Sequence, residues 1–449
     1  MSVLPICLLF ISIGLLLFMV LKLKIHAFLA LLIVSVFLGV ATGMPMNTIL
    51  ESMTVGMSST LGFVATVVGI GAIFGQILEA SGGAESLARY LIVKFGKEKA
   101  PYSLALAGFM VAIPVFLDVG FIILVPVIYA LAKDTKKSLL CYAIPLLAGL
   151  AVTHAFIPPT PGPVAVAEII GVDLGWLIFF GFIIGIPVTI MAGPVFGKYI
   201  GSKIHVDVPA FFEETDRQTL KNLPSFWQVV SIIAIPLTLI VANTVSGVWA
   251  KANGVTDAFW VNLLSFLGHP FIALLIATLT AIYVMGIRRG FTRESILNLS
   301  SKALAPAGLI ILITGAGGVF KQLLVDSGIG VALAGSLSGS ALPPIVLAYL
   351  LALIIRVTQG SATVAMITSA GIMSPMLEAF TLSEPQKALM VIAIAAGATT
   401  LSHVNDSGFW LVGKYLGLSE KQTLQSWTVM ETIISVTGFL LAFGLSFFF

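Results

Sequence analysis

Apolar runs of about 20 residues follow one another along this whole chain, each long enough to cross a hydrocarbon core of roughly 30 Å as a helix. Inside such a core every backbone N–H and C=O has to be satisfied within the segment, which a helix does on its own. The runs predict spans near residues 3–21, 25–42, 60–80, 138–157 and 175–197, then 226–249, 259–287, 304–325, 386–402 and 424–448. Two further apolar pairs, 102–132 and 341–380, are each interrupted near the middle by polar, turn-forming residues. Each pair reads as a re-entrant hairpin that enters and leaves on one side, with two full crossings as the rival. A composition of 58% hydrophobic and 10% charged residues, with mean hydropathy +1.09, excludes the two or three soluble domains that 449 residues would otherwise suggest.

The plan is written twice. Gly71, Phe74, Gln76, Leu78, Ser81 and Gly82 recur at one constant spacing as Gly317, Phe320, Gln322, Leu324, Ser327 and Gly328. HAFLALLI at 26–33 returns as HPFIALLI at 269–276. Residues 1–205 therefore form a first membrane repeat and 226–449 a second, joined by a cytoplasmic linker at 206–225 that carries Glu213, Glu214 and Asp216. With hairpins or with full crossings, each half crosses an odd number of times, so the second repeat enters the membrane upside down. The basic residues agree. With the N-terminus outside, all but four of the 23 lysines and arginines fall in cytoplasmic loops, the exceptions being Lys251, Lys321, Arg356 and Lys387. Both termini are then expected on the periplasmic or extracellular side.

Because the basic residues follow membrane orientation, the net charge of +3 leaves no basic patch for nucleic acid. Cys7 and Cys141 lie inside apolar runs and indicate neither a disulfide framework nor a metal site. The first run has no positive n-region and no convincing cleavage site, so it reads as a retained span.

An ionisable side chain at mid-bilayer costs about 2.5–3.5 kcal/mol on insertion scales, which makes each one in an apolar run a functional candidate. The two interrupted pairs carry them at matching places. The first break is IPVFLDVGF, with Pro114 and Asp118; the second is IIRVTQGSATVA, with Arg356 followed by Thr358, Gln359, Gly360, Ser361 and Thr363. One tip is acidic and the other basic. The plainer alternative is that each charge is structural and paired to a neighbour. The Thr, Gly and Ser before an apolar helix leave N–H groups free to attract an anion, and an arginine beside them can hold a carboxylate through two hydrogen bonds. The penultimate spans are broken as well, at THAFIPPTPGPVAVAE with His154 and Thr160, and at SHVNDSGFW with Ser402, His403, Asn405 and Asp406. Ordinary loops would read the same way taken singly. Broken helices at corresponding places of inverted repeats point instead to a midplane binding site. Gly69, Gly71, Gly315, Gly317 and Gly318 are read as close-packing positions, and Glu79, Lys321 and Asp326 as snorkelling or locally paired charges.

These stretches carry a resemblance. GGVFKQLLVDSG, RVTQGSATVA, SHVNDSGFWL and WTVMETIISV, with SGGAESLA, PVFLDVGFIILVP and HAFIPPTPGP in the first half, resemble signature stretches of the gluconate:proton symporter (gluconate permease) family over nearly the whole chain. One departure is Thr160, where many relatives carry histidine. The resemblance implies secondary transport of small sugar acids such as gluconate. It also implies kinship to the ion-transporter-like proteins of inverted repeats and re-entrant hairpins, of elevator type, in which a moving unit holds the hairpins and broken helices.

The expectation is therefore an all-α polytopic protein of the bacterial inner membrane, with about five crossings, a hairpin and a broken helix in each repeat, that imports a sugar-acid anion with protons. Arg356 and the 358–363 cap would hold the carboxylate. Thr160, His154, Ser402 and Asn405, with His403 beside them, would meet the hydroxyls, and Asp118, Asp406 or His154 would carry the proton. A permease of the same family for D-glycerate or D-serine is the alternative, and an anion channel stands behind both. No P-loop is present, so energy would come from an ion gradient rather than from ATP. The expected partners are the small carboxylate, protons and membrane lipid, with a homodimer admitted and no nucleic acid, cofactor or metal. An enzyme is disfavoured because His154 with Glu168 and His403 with Asp406 lack a recognisable nucleophile or metal spacing.

Overall fold

The computed structural model describes residues 4–209, 223–255, 258–329, 343–377, 380, 382–404 and 406–449. The regular structure among them is helical throughout. In chain order the first half holds α1 (Leu4–Leu21), α2 (Ala27–Ala41), α3 (Met46–Ala80), α4 (Gly83–Phe95), α5 (Ala100–Val111), α6 (Leu117–Thr135), α7 (Leu140–Phe156), α8 (Pro161–Ile170), α9 (Leu174–Ile190) and α10 (Phe196–Lys203), the last two joined by a π turn at Met191–Val195. The second half holds α11 (Phe226–Asn253), α12 (Phe259–Leu267), α13 (Pro270–Ala281), α14 (Arg293–Asp326), α15 (Pro344–Gln359), α16 (Ala362–Leu377), α17 (Glu384–Thr399), α18 (Ser407–Leu416), α19 (Glu420–Thr423) and, after a π turn at Leu424–Thr428, α20 (Val429–Leu445). Seven described helical stretches are long and apolar enough to cross a bilayer. Of the 206–225 linker, residues 210–222 lie outside the described residues, as do 330–342 of the second half.

Several boundaries differ from those the apolar runs predict, for one physical reason. Apolar-run length reports the stretch inside hydrocarbon, whereas a helix continues for as long as its backbone bonds are made. The span expected at 60–80 starts at Met46 and is 35 residues long; the one expected at 304–325 starts at Arg293 and is 34 residues long. At 1.5 Å per residue each rises about 50 Å, well beyond a hydrocarbon core. The span expected at 259–287 is two helices, α12 and α13, broken at Gly268 and His269. The repeated histidines explain the break. His269 Nδ1 accepts from the Phe271 N–H at 3.4 Å and caps α13, as His26 Nδ1 accepts from the Phe28 N–H at 3.2 Å and caps α2.

The buried centre is made of α7, α16 and residues 388–399 of α17, which are buried on nearly every face and enclosed by other helices. Small residues let backbones close up there. A Cβ added at Gly149 of α7 would lie 2.1 Å from the Ala105 carbonyl of α5, and one at Gly397 of α17 would lie 2.4 Å from the Tyr349 carbonyl of α15. The two long helices α3 and α14 pack together at Gly56 and Gly318, where a Cβ on Gly318 would meet the Gly56 carbonyl at 2.5 Å. Gly315 and Gly317 are similarly crowded, whereas Gly69 and Gly71 have only ordinary contacts at 3.6 and 3.8 Å. Of the charges read as snorkelling or paired, Asp326 accepts from Ser52 Oγ at 2.6 Å, Glu79 from Gln76 Nε2 at 3.0 Å, and Lys321 donates to the Ile169 carbonyl at 2.7 Å. The α3–α14 pair then reaches the centre through α8 and α16.

Candidate functional site

Four interrupted elements converge in this centre. α5 and α15, at 12 and 16 residues, rise about 18 and 24 Å and are too short to cross alone. The first ends near Pro114, and α6 starts at Leu117 with Asp118 in its first turn. The second ends at Gly360, whose φ of +80° is a left-handed conformation that glycine adopts without strain, and α16 follows at once. α7 stops at Phe156 ahead of the proline run, with His154 in its last turn, and α17 stops at Thr399 ahead of α18.

Between these ends lies a cavity of about 530 Å³. Asp118, His154, Arg356, Gln359, Gly360, Ser361, Thr363 and Asp406 all line it, together with Glu431 and Trp427. Sequence reasoning thus selected eight side chains or backbone positions that share one chamber although they come from five different helices and their caps.

Arg356 is 3% exposed. Its Nη2 donates to Asp406 Oδ2 at 2.5 Å, and its Nη1 donates to the Gly360 carbonyl at the end of its own helix, where a cation also complements the helix dipole. Asp406 is held from three sides. Ser402 Oγ donates to the same Oδ2, and the Gly408 N–H donates to Oδ1 at 3.0 Å, which makes Asp406 the N-cap of α18. Ser402 in turn accepts from Trp427 Nε1 at 2.7 Å, and its carbonyl accepts from Thr428 Oγ1. The guanidinium is therefore fixed in place by a chain of hydrogen bonds that runs back to the π turn before α20.

Other polar atoms at the cavity have no such support. Both Gln359 amide atoms, Arg356 Nε and His154 Nδ1 are buried with no hydrogen-bond partner among the described residues. Leaving them so costs roughly 1–3 kcal/mol apiece, so a polar guest that met them would recover that energy. Ser361 Oγ accepts from the Val364 N–H at 3.4 Å, and the N-terminus of α16 opens on the chamber with Ser361, Ala362 and Thr363. Helix N-termini favour anions. Asp118, across the chamber, is exposed to it and has no ion pair among the described residues. His154 sits within its electrostatic reach.

Some expected residues lie elsewhere. Thr160 is buried outside the cavity and donates to the Ile157 carbonyl at 2.6 Å. Ser402 is buried behind Asp406 and reaches the cavity through it. His403 Nε2 donates to the Val357 carbonyl at 3.1 Å, bracing the end of α15. Asn405, and the side chain of Thr358, lie outside the described residues. Among the cavity residues that sequence reasoning passed over are Glu431, Trp427, Thr399 and Ser407. Glu431 obeys the same rule that singled out Asp118, being an ionisable residue in an apolar run, and WTVMETIISV displayed it.

A polytopic helical protein whose broken helices enclose a charged chamber of this size belongs to the membrane transporter class. The chain belongs to the GntP permease family: the family model described as GntP family permease matches residues 4–448. It is 42% identical over 427 residues to the low-affinity gluconate transporter of Escherichia coli strain K12, covering 95% of each chain. It is 41% identical to the gluconate permease of Pseudomonas aeruginosa, covering 93% of this chain and 92% of that one, and 36% identical to the Gnt-II system L-idonate transporter of Escherichia coli strain K12, covering 97% and 98%. Among solved structures, the Alcanivorax borkumensis YdaH transporter, a crystal structure described as having an unusual topology, superposes with a TM-score of 0.64 at 15% identity, over 89% of this chain and 88% of that one. That likeness is one of fold.

Proposed function

We propose that this permease is a secondary active transporter that carries a small sugar-acid anion, gluconate foremost, inward across the bacterial inner membrane together with protons. The observation that carries the reading is the cavity itself, with one buried guanidinium on its wall and unpartnered amide and imidazole atoms beside it. Arg356 and the N-terminus of α16 would take the carboxylate; Gln359, Ser361, Thr363 and His154 would meet the hydroxyls. Of the relatives named above, two are a gluconate transporter and a gluconate permease and one is an L-idonate transporter; both substrates are polyhydroxy acids, which supports this substrate class.

Asp406 occupies Arg356 in the present arrangement, so the incoming carboxylate competes with it for the guanidinium. Asp118 and His154, which interact electrostatically and both line the chamber, stand where protons would be received. With one proton per monoanion the cycle moves no net charge and follows the pH gradient alone, whereas a second proton would add about 2.3 kcal/mol per 100 mV. For alternation, the reading takes residues 1–205 and 226–449 as inverted repeats with both termini outside. The hairpins α5–α6 and α15–α16 and the broken pairs α7–α8 and α17–α18 would then move as a unit against the longer helices. The matched close approaches at Gly149 and Gly397 support a common plan for the two halves.

Uptake of labelled gluconate into proteoliposomes under an imposed pH gradient tests this. Saturable accumulation that collapses with the gradient is expected, with unlabelled gluconate competing better than D-glycerate or D-serine. Undiminished uptake after collapse of both proton and sodium gradients would refute symport.

A further inference from the structure

We infer that Glu431 is the residue that takes up the co-transported proton, and that it does so because the substrate's carboxylate removes its cation. The inference rests on the symport reading above and names the site of its coupling.

Glu431 lies in the first turn of α20, is 4% exposed, and lines the same cavity. From α15 it faces Arg356 and from the start of α18 it faces Asp406, its two electrostatic neighbours. Asp118 on α6 and His154 on α7 stand across the chamber, while α17 and α9, which also pack against α20, contribute no titratable side chain to the lining. The chamber thus holds three carboxylates and a single guanidinium among the described residues.

The three carboxylates are not equally supported. Asp406 receives hydrogen bonds from Arg356, Ser402 and the Gly408 N–H, so its ionised form is fully served. Asp118 is exposed and lines the chamber. Glu431 is buried and accepts no hydrogen bond from any described residue, and among the described residues Arg356 is the cation that acts on it. A carboxylate buried without a hydrogen-bond partner is strongly disfavoured in low dielectric, so Glu431 keeps its charge only while the Arg356 guanidinium compensates it. When a substrate carboxylate engages Arg356, that one positive charge is shared among Asp406, Glu431 and the guest, and a proton on Glu431 restores the balance. The step adds one anion and one proton to the site and removes both on release inside. Charge is conserved with one proton per monoanion, and the protonated acid becomes a hydrogen-bond donor to the bound sugar acid.

The test uses the full-length protein in proteoliposomes. For Glu431→Gln, accumulation under an imposed pH gradient is expected to fall by about tenfold or more, while gluconate–gluconate exchange falls by no more than about threefold and loses its dependence on pH. Accumulation equal to the wild type, with an unchanged pH profile of exchange, would overturn the assignment. Where Glu431→Gln does not insert, Glu431→Asp serves. It keeps the acid but withdraws it by one methylene, so pH-driven accumulation should persist with a displaced pH midpoint, and an unmoved midpoint counts against the proposal. A wild-type protein that fails to accumulate gluconate under the gradient overturns the symport reading itself, an outcome distinguishable from either variant result.

Discussion

The two hairpin tips answer the same structural problem in opposite ways. At the second tip Arg356 is buried, pulled against Asp406 and the Gly360 carbonyl, and braced through Ser402 to Trp427. At the first tip Asp118 starts α6 exposed to the chamber and without an ion pair among the described residues. A charge held by two fixed acceptors, one of them itself braced, is suited to recognise a shape, because its geometry is set before the guest arrives. A charge left in contact with water is suited to exchange protons. On the proposed function, the second tip recognises the carboxylate and the first exchanges protons.

Substitutions can break this contrast, and the largest effect belongs at the recognising tip. Arg356→Ala should lower gluconate uptake by about 100-fold or more, and removing one partner of a buried ion pair should also cost about 3–5 kcal/mol of stability, since Asp406 is left charged and unpaired. Wild-type affinity in that variant, measured by substrate-dependent thermal stabilisation, would remove Arg356 from the site. Asp118→Asn should act differently. Accumulation under a pH gradient should drop by about three- to tenfold while exchange changes by less than about twofold. Equal loss of both would mean that Asp118 is a structural charge and that the contrast between tips is false. Ser402→Ala comes last. It removes one of the donors to Asp406 and should raise the apparent KM several-fold, on the order of 1 kcal/mol, with little change in maximal rate; a variant with unaltered KM would show that Arg356 needs no such brace.

Much of this arrangement was legible in the sequence, and the illegible part has a physical pattern. The spans were visible because hydrocarbon imposes apolar runs, and the tips were visible because Pro114 and the Gly360–Ser361 turn interrupt them. Helix starts at Met46 and Arg293 were not, since residues outside the hydrocarbon follow ordinary helix rules and carry no apolar signature. The pairing of Arg356 with Asp406 could not be read either, because those residues are far apart in sequence and only the packing of α15 against α17 brings them together. It turned two separate candidates into one unit and moved Ser402 and His403 from the binding surface to the support behind it. The histidines of the HAFLALLI and HPFIALLI repeats were noticed as register marks, yet their work is local, capping α2 and α13. Glu431 was legible and passed over. The rule that an acid within an apolar run is functional by default applies to it as fully as to Asp118.

The comparison of tips makes one claim above the others: that the buried guanidinium of the second tip is where the carboxylate binds. A structure determined with gluconate bound tests it most directly. The account predicts the carboxylate within about 3 Å of the Arg356 guanidinium, with the hydroxyl chain running past Gln359 toward His154 and Glu431. Gluconate bound in another cavity, or in this one with its carboxylate turned away and the Arg356–Asp406 pair untouched, would contradict it.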